Sequence, residues 1–569
     1  MKKNFLVVCL VFALVFMGLP TLVGHAEVTS KRMDGADRFA VAVNVSKEGW
    51  PNGSGTVILA NYLAFADALA ASPLAFKENA PILLTNPNDL NQSTLDEINR
   101  LQAKRVLIVG GPGSISDSVM AKLSQMGIPN IERIGGTDRF EVSNNIAKKL
   151  NPTDTAIVAN GLKFPDALAI APFAAQNGYP ILLSRDNSLP EKTFEAIQTM
   201  NISKTIIVGG EGSVSASVAS QLPSASRIGG KDRYEVATNI VTQLNLSTSK
   251  AFLATGMTFA DALTGSVLAA KQNAPLLLMH PTTVPPSVQE LVKSKNIQDF
   301  VILGGTASVP DRVFLILTGQ ISALPLEGKV IIVDPGHGGS DSGAAQNGYL
   351  EKNLNSQFAA KFATKLQQLG ATVKYTRPPN SDQFVSLPDR ANIANNIHGD
   401  LFVSIHHDSN NSSTPKGFSI HYSSYRPAIE VNDVYVLASN GVKYPFIREE
   451  TDKKQFIVRN GSGELALSYN DNNVAYDPTP SPAVVTTRAL TASFVKALVY
   501  PGISATTTYS STGIRDSNLY VTRWTNMPSL LIELGFISNP SEVKLLADSS
   551  VQDSRAQALA NSIKDYFGK

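Results

Sequence analysis

The stretch Arg133–Phe140 reads Arg-Ile-Gly-Gly-Thr-Asp-Arg-Phe, and the first half of the chain is organised around it. It recurs as Arg-Ile-Gly-Gly-Lys-Asp-Arg-Tyr at Arg227–Tyr234, and a looser copy, Arg-Met-Asp-Gly-Ala-Asp-Arg-Phe, stands at Arg32–Phe39. The copies are about 100 residues apart, which is the size of a small domain. A fixed period of this kind is typical of a repeated structural unit. The first half is therefore predicted to contain three similar units.

Two further motifs recur in step with the first. One is Phe-x-Asp-Ala-Leu, and the other is a Gly-Gly pair that follows an apolar run. Between them, short apolar runs alternate with segments of helical periodicity, which predicts a parallel α/β sheet covered on both faces. Each repeat is expected to form a compact domain. The motif copies are Phe65–Ala70, Phe164–Ala169 and Phe259–Thr264 for the first, and Val109–Gly111, Val208–Gly210 and Leu303–Gly305 for the second.

Each motif allows a binding role or a structural role. A Gly-Gly loop that opens a helix can hold an anion at the helix N-terminus. However, no Lys-Ser or Lys-Thr follows the glycines, so a tight turn with a serine cap is the favoured interpretation. The Asp-Arg pairs could contact a ligand or tie the repeats together, and the structural interpretation is again favoured.

These units resemble the type 2 cell wall-binding repeat of Gram-positive surface proteins, over about residues 29 to 320. The resemblance implies three repeats, at 29–128, 129–223 and 224–322, in a pseudo-threefold module that binds anionic cell-wall polymers non-covalently. The first copy departs from the motif at Met33 and Asp34, where the other two copies have Ile and Gly.

Composition narrows the possible classes of protein. The chain has 569 residues, which suggests several domains. With 43% hydrophobic and 17% charged residues it is neither a disordered polyelectrolyte nor a multi-span membrane protein. Its 49 basic residues nearly balance 47 acidic ones, which disfavours a nucleic-acid binder. The only cysteine is Cys9, so a metal site beyond it must use His, Asp or Glu.

The N-terminus has the pattern of an export signal. Lys2 and Lys3 precede an apolar run over Phe5–Met17, and a small-residue site ends at Ala26. We predict a secretory signal peptide over residues 1–26. A membrane anchor is the alternative, but the run is shorter than the roughly 20 residues that span a bilayer.

The second half carries the candidate catalytic residues. A predicted strand runs into Asp334–Gly339, a Gly-rich loop that contains His337. Glu351 stands at the start of a helical pattern, and a second apolar strand ends in His406 and His407. By the alternation of a strand these two histidines point to opposite faces, so one of them is expected in the site. Taken singly, His337 is compatible with a structural role and Glu351 with a helix cap.

Two histidines and a carboxylate form the three-ligand set of a catalytic zinc, with a fourth position left open. Glu533 lies within an otherwise apolar strand, Ser529–Phe536. Burial of a carboxylate is costly and raises its pKa towards the range that suits general acid–base catalysis.

From about Lys329 to the C-terminus, the sequence resembles the zinc-dependent N-acetylmuramoyl-L-alanine amidases. Further matches are Thr376–Arg377, Leu387–Asn392, Arg515 and Leu519–Arg523. The resemblance implies an α/β zinc hydrolase domain over 329–569, with His337, Glu351 and His406 as Zn²⁺ ligands and Glu533 as the catalytic glutamate. It also implies a peptidoglycan substrate, cleaved at the amide between N-acetylmuramic acid and L-alanine. Glu533 would take a proton from the attacking water and pass it to the leaving amine.

Two departures from that family stand out. Where the family has a small residue and Asn after the second histidine, this chain has His407 and Asp408, and His407 is an alternative ligand to His406. The stretch 423–487 lengthens the domain, either as a small inserted sheet at the rim of the cleft or as a mobile surface decoration.

The sequence therefore predicts a secreted, wall-bound α/β protein with three repeat domains and one zinc amidase domain. Two alternatives belong to other classes. One is a metal-dependent peptidase or deacetylase on the same scaffold. The other is a structural surface protein with an inactive catalytic half, which the intact set of four site residues disfavours.

Overall fold

The computed structural model describes residues 27–151, 153–469 and 473–568. The predicted signal peptide lies outside this range. The chain forms two compact units that divide between Ile321 and Ser322. Among the described residues, no helix combines the length and apolar character needed to cross a bilayer.

The first unit alternates strands and helices. Its strands are β1 (Thr29–Met33), β2 (Thr56–Asn61), β3 (Ile82–Thr85), β4 (Arg105–Val109), β5 (Asn130–Ile134), β6 (Thr155–Asn160), β7 (Ile181–Ser184), β8 (Lys204–Val208), β9 (Ala225–Ile228), β10 (Ala251–Thr255), β11 (Leu276–Met279) and β12 (Asp299–Leu303). Its helices are α1 (Arg38–Gly49), α2 (Phe65–Ala68), α3 (Ala71–Lys77), α4 (Gln92–Arg100), α5 (Asp117–Gln125), α6 (Arg139–Ala147), α7 (Pro165–Asn177), α8 (Glu191–Thr199), α9 (Ala216–Ala219), α10 (Arg233–Gln243), α11 (Ala260–Lys271), α12 (Pro286–Ser294) and α13 (Asp311–Leu317).

The strands of the first unit form three four-stranded parallel sheets, in the orders β3-β2-β4-β5, β7-β6-β8-β9 and β1-β12-β10-β11. The α/β class with parallel sheets is thus confirmed. The expectation that each repeat forms a domain by itself needs correction, because β5 and β9 complete the sheet of the preceding repeat. The first strand, β1, closes the ring by pairing with β12 of the third repeat.

The Asp-Arg motif connects neighbouring repeats. Asp138 accepts hydrogen bonds from the N–H groups of Phe140 and Glu141 and so caps α6. Arg139 donates to the carbonyl of Gly161, at 2.8 Å, and its guanidinium lies 5.9 Å from the ring centre of Phe65 in the first repeat. In the third repeat, Arg233 stands in the same relation to Phe164. These contacts support the structural interpretation of the motif.

The aromatic residues of the Phe-x-Asp motifs meet at the centre of the first unit. The ring centres of Phe65, Phe164 and Phe259 are 5.6, 5.7 and 6.4 Å apart. The helices that follow them, α3, α7 and α11, pack against one another in pairs. The three repeats therefore surround a common apolar centre with approximate threefold symmetry.

The Gly-Gly motif makes room for the aspartate of the Phe-x-Asp motif. Asp166 accepts a hydrogen bond from Ser213 at 2.8 Å, and Gly209 has a φ of +111°. A Cβ at Gly209 would lie 2.4 Å from the Asp166 carboxylate, whereas a Cβ at Gly212 would meet nothing within 4 Å. The glycine thus has a structural role, as the tight-turn interpretation predicts.

The second unit has strands β13 (Val330–Pro335), β14 (Ala345–Gln346), β15 (Tyr349–Leu350), β16 (Thr372–Tyr375), β17 (Leu401–Asp408), β18 (Ser419–Tyr422), β19 (Tyr435–Leu437), β20 (Lys443–Glu450), β21 (Gln455–Asn460), β22 (Gly463–Ser468), β23 (Val474–Tyr476), β24 (Ile514–Asp516) and β25 (Ser529–Phe536). Its helices are α14 (Glu351–Gln368), α15 (Leu387–Ile397), α16 (Pro482–Leu498), α17 (Tyr520–Trp524), α18 (Glu542–Ala547) and α19 (Ser549–Phe567).

A six-stranded mixed sheet, in the order β16-β13-β17-β25-β18-β24, forms the core of the second unit. One face is apolar and is covered by α14, α16 and α19, while α15 and α17 cover part of the other. His406 and Glu533 are register partners on β17 and β25. The topology therefore brings two predicted site residues side by side.

The inserted stretch contains a five-stranded antiparallel sheet, in the order β22-β21-β20-β19-β23. This supports the inserted-sheet interpretation over a mobile decoration. However, α16 begins at Pro482, inside the predicted range 423–487, and its Leu490 and Phe494 belong to the core of the second unit. The insertion is therefore shorter than the sequence suggested.

We expect Gly209→Ala to lower the free energy of unfolding of the first unit by about 1–3 kcal/mol, because it adds a Cβ at positive φ against a buried carboxylate. The matched variant Gly212→Ala should change it by less than about 0.5 kcal/mol. Urea unfolding of residues 27–321 measures both values. Equal effects of the two substitutions would contradict the packing role of Gly209.

Candidate metal centre and active site

Three predicted ligands meet where β13 and β17 end and α14 begins. The nitrogen and oxygen atoms that His337, Glu351 and His406 can offer lie within 4.8 Å of one another. Glu351 Oε1 is 3.1 Å from His337 Nε2 and 3.0 Å from His406 Nδ1. No other group of this kind occurs among the residues that the structure describes.

Glu351 is the first residue of α14 and is buried. Burial alone would raise the pKa of its carboxyl group, but hydrogen bonds and charge from His337 and His406 hold the pKa well below its usual range. The backbone N–H groups of Ala344 and His407 also donate to the carboxylate. Glu351 is therefore ionised and already oriented between the two imidazoles.

The His337 ring is fixed from behind by an acidic residue. Its Nδ1 donates to Asp341 Oδ2 at 2.7 Å, which leaves Nε2 directed at Glu351. A carboxylate on the far nitrogen is the usual way in which a ligating histidine is oriented. Burial lowers the pKa of His337, but the two carboxylates outweigh this and raise it. The backbone of His337 is left-handed, with φ of +60°, a costly conformation that its surroundings must hold.

A buried ion pair beneath the loop provides that support. Arg390 Nη1 donates to Asp334 Oδ1 at 2.7 Å, and both side chains are at most 4% exposed. Arg390 Nη2 donates to the carbonyl oxygen of His337, and Arg377 donates to that of Gly336. The matches at Thr376–Arg377 and Leu387–Asn392 therefore correspond to residues that hold the His337 loop.

The second histidine of the pair, His407, does not belong to the cluster. It points to the opposite face of the sheet, where its Nδ1 lies 2.7 Å from Asn355 Oδ1. Burial lowers its pKa to about 3. Asn355 Nδ2 in turn lies 3.4 Å from Glu351 Oε1. The structure thus places His407 outside the cluster, where its backbone N–H and its contact with Asn355 support the Glu351 carboxylate.

Glu533 faces the cluster from β25. Its Oε2 is buried and has no hydrogen-bond partner among the described residues. Burial, followed by the negative charges of Glu351 and Asp408, raises its pKa well above the usual value. A carboxylate left in this condition is suited to exchange a proton with a substrate or a water molecule.

Three residues that support the cluster were not predicted as site residues from the sequence: Asp334, Asp341 and Asn355. Asp341 carried a weak signal, because it follows His337 by four residues in a Gly-rich loop. Asp334 and Asn355 look like ordinary polar residues until the fold places them against Arg390 and His407.

Comparison with known families matches both halves of the chain. The model for N-acetylmuramoyl-L-alanine amidase matches residues 331–565. The model for cell wall binding domain 2 matches three times, at residues 32–120, 133–219 and 227–314.

Individual relatives match the whole chain or a part of it. The N-acetylmuramoyl-L-alanine amidase LytC of Bacillus subtilis is 33% identical over 559 residues, which cover 98% of this chain and 99% of that protein. The amidase enhancer of the same organism is 38% identical, over 52% of this chain and 41% of its own length. Among solved structures, Cwp6 from Clostridium difficile aligns with a TM-score of 0.52 and 26% identity, covering 95% of this chain and 80% of that one.

We expect Arg390→Ala to destabilise the second unit by about 3–5 kcal/mol, because it leaves the Asp334 carboxylate buried without its partner. Arg448→Ala removes an arginine from exposed ion pairs with Glu450 and Glu464 and should cost at most about 1 kcal/mol. Urea unfolding of residues 322–569 compares the two. Similar losses in the free energy of unfolding would show that the buried Asp334–Arg390 pair stabilises the unit no more than an exposed ion pair does.

Proposed function

This chain belongs to the N-acetylmuramoyl-L-alanine amidase family, and we propose that it is a zinc-dependent enzyme exported to the wall of a Gram-positive bacterium. It cleaves the amide between N-acetylmuramic acid and L-alanine in peptidoglycan, and its cell wall binding domains retain it at the substrate. The observation that supports the metal-dependent reaction is the packing of His337, Glu351 and His406 beside the unpartnered carboxylate oxygen of Glu533.

The donor set fits zinc, because two imidazoles and one carboxylate are the ligands of several catalytic zinc sites that keep a fourth position open. His337 would bind through Nε2, since Asp341 occupies Nδ1. His406 would bind through Nδ1, because its Nε2 is packed against Gly336, where a Cβ would lie 2.2 Å away. A zinc ion held by these residues polarises a carbonyl oxygen and lowers the pKa of water to about 7.

The chain's own residues then perform the proton transfers. Glu533 accepts a proton from the attacking water and passes it to the nitrogen of L-alanine as the amide breaks. Its raised pKa favours this double role, because the group must hold the proton between the two steps. No side chain is needed as a covalent nucleophile.

The first unit supplies attachment. We propose the division into repeats at 29–128, 129–223 and 224–322, with anionic wall polymers as the ligands. The described residues of this unit contain no group of metal-binding side chains like that of the second unit. Attachment and hydrolysis are therefore assigned to separate parts of the chain.

Substitutions of the two glutamates should have different consequences for the metal. Glu533→Gln is nearly isosteric, so we expect hydrolysis to fall by at least about 10²-fold while zinc is retained. Glu351→Ala removes a ligand and should lose zinc and activity together. Zinc content after dialysis and peptidoglycan hydrolysis are measured on the same samples, with thermal unfolding as a check of folding. Near-normal turnover of Glu533→Gln would remove Glu533 from the mechanism, and tight zinc binding by Glu351→Ala would point to another ligand.

Residues 29–320 should sediment with purified cell walls in the absence of residues 329–569, because the three sheets form their own core. Walls stripped of their phosphate-containing polymers should lose this binding. Sedimentation of the amidase part alone, with the repeat part left in solution, would contradict the proposed division of labour.

A further inference from the structure

A cavity of about 450 Å³ lies between the inserted sheet and the edge of the central sheet in the second unit. The inserted sheet contributes Leu437, Val474 and Tyr476, and the catalytic core contributes Tyr509, Ile514 and Arg515. Its lining includes apolar and aromatic side chains, but most of the surface that faces the cavity is polar. Arg515 is the one basic side chain among the lining residues. Asp516, the acidic residue of the lining, accepts a hydrogen bond from the N–H of Ser424.

The register of the sheet connects this cavity to the active site. His406 pairs with Glu533, Glu533 with Ser419, and, two residues along the same strand, His421 with Arg515. Side chains paired across neighbouring strands share a face, and so do residues two apart along one strand. His406, Glu533, His421 and Arg515 therefore lie on one face. Arg515 is two strands across the sheet and two residues along the strand from Glu533, a separation of about 12 Å at about 4.8 Å per strand and about 3.4 Å per residue.

Tyr509 stands between the two sites. It lies close to Asp408, and the Asp408 carboxylate in turn lies near Glu533. The guanidinium of Arg515 is 5.6 Å from the centre of the Tyr509 ring, and the ring of His421 is 6.4 Å away. A substrate bound at Glu533 can thus continue along Tyr509 into the cavity.

The inserted wall of the cavity is firmly attached to the catalytic core. Glu449 on β20 and Arg523 on α17 form an ion pair of 2.8 Å, with side chains only 7% and 3% exposed. Tyr425 and Tyr469 both donate hydrogen bonds to the same carboxylate. The insertion is therefore held as a fixed part of this site.

We propose that the cavity is a substrate subsite that binds the stem peptide through a carboxylate, with Arg515 as its partner. This inference rests on the proposed amidase function. The lactyl carboxyl group of N-acetylmuramic acid is consumed in the scissile amide, so the free carboxylates lie on the peptide side. At about 3.4 Å per residue, a distance of about 12 Å corresponds to a carboxylate about three to four residues from the cleaved bond.

The test uses two synthetic N-acetylmuramoyl peptides of equal length, one with free carboxylates and one with the same groups amidated. The wild-type full chain should cleave the free form at least about 10-fold more efficiently, since a hydrogen bond to a charged group contributes about 1.5–3 kcal/mol. Arg515→Gln should lower kcat/KM for the free form by about 10- to 100-fold, chiefly through KM, and leave the amidated form nearly unchanged. Arg515→Lys should keep part of the preference.

Arg448→Gln, on the exposed side of the inserted sheet, is the matched control and should leave kcat/KM unchanged for both peptides. Equal cleavage of the two peptides by the wild type would overturn the subsite without the need for any variant. An equal loss of kcat/KM on both peptides in Arg515→Gln would also overturn the subsite. Failure of the wild type to cleave the muramoyl–alanine bond in either peptide would instead overturn the proposed function.

Discussion

The ionised carboxylate of Glu351, enclosed by two imidazoles, is the interaction on which the catalytic unit depends. A buried negative charge is tolerated only where donors or a cation compensate it. Here the compensation comes from His337, His406 and two backbone N–H groups. The unusual local features of the site follow from this demand. They include the left-handed backbone of His337 and the absence of a side chain at Gly336, where a Cβ would lie 2.2 Å from His406 Nε2.

A second layer of ion-pair and hydrogen-bond contacts holds that cluster in place. The Asp334–Arg390 pair lies beneath the His337 loop, and His407 and Asn355 lie on the other side of the sheet. Glu533 is left with a buried, unpartnered oxygen on the side facing the cluster. The site thus combines groups that are fully paired, and hence fixed, with one group that is free to exchange a proton.

The sequence predicted the order of elements and the residues that meet, but not every partner. His337 and His406 were found because each follows an apolar run that ends in polar residues, and strand alternation correctly separated His406 from His407.

The exchange of β1, β5 and β9 between repeats was not predicted, because the apolar sequence of a strand does not indicate which of several parallel sheets the strand joins. Asp334 and Asn355 were missed because their partners, Arg390 and His407, are more than fifty residues away in the chain. The start of α16 at Pro482 was missed for a local reason, since the Pro and Thr residues before it look like a loop.

The activity proposed for this chain is the zinc-dependent cleavage of the bond between N-acetylmuramic acid and L-alanine. Mass analysis of purified peptidoglycan digested by the full chain, with zinc and with a chelator, tests it most directly. We expect soluble stem peptides that begin with a free L-alanine amino group, with glycan strands and acetyl groups intact, and no release of peptides when zinc is withheld. Cuts within the stem peptide, loss of acetyl groups, or the same peptides in the presence of the chelator would contradict it.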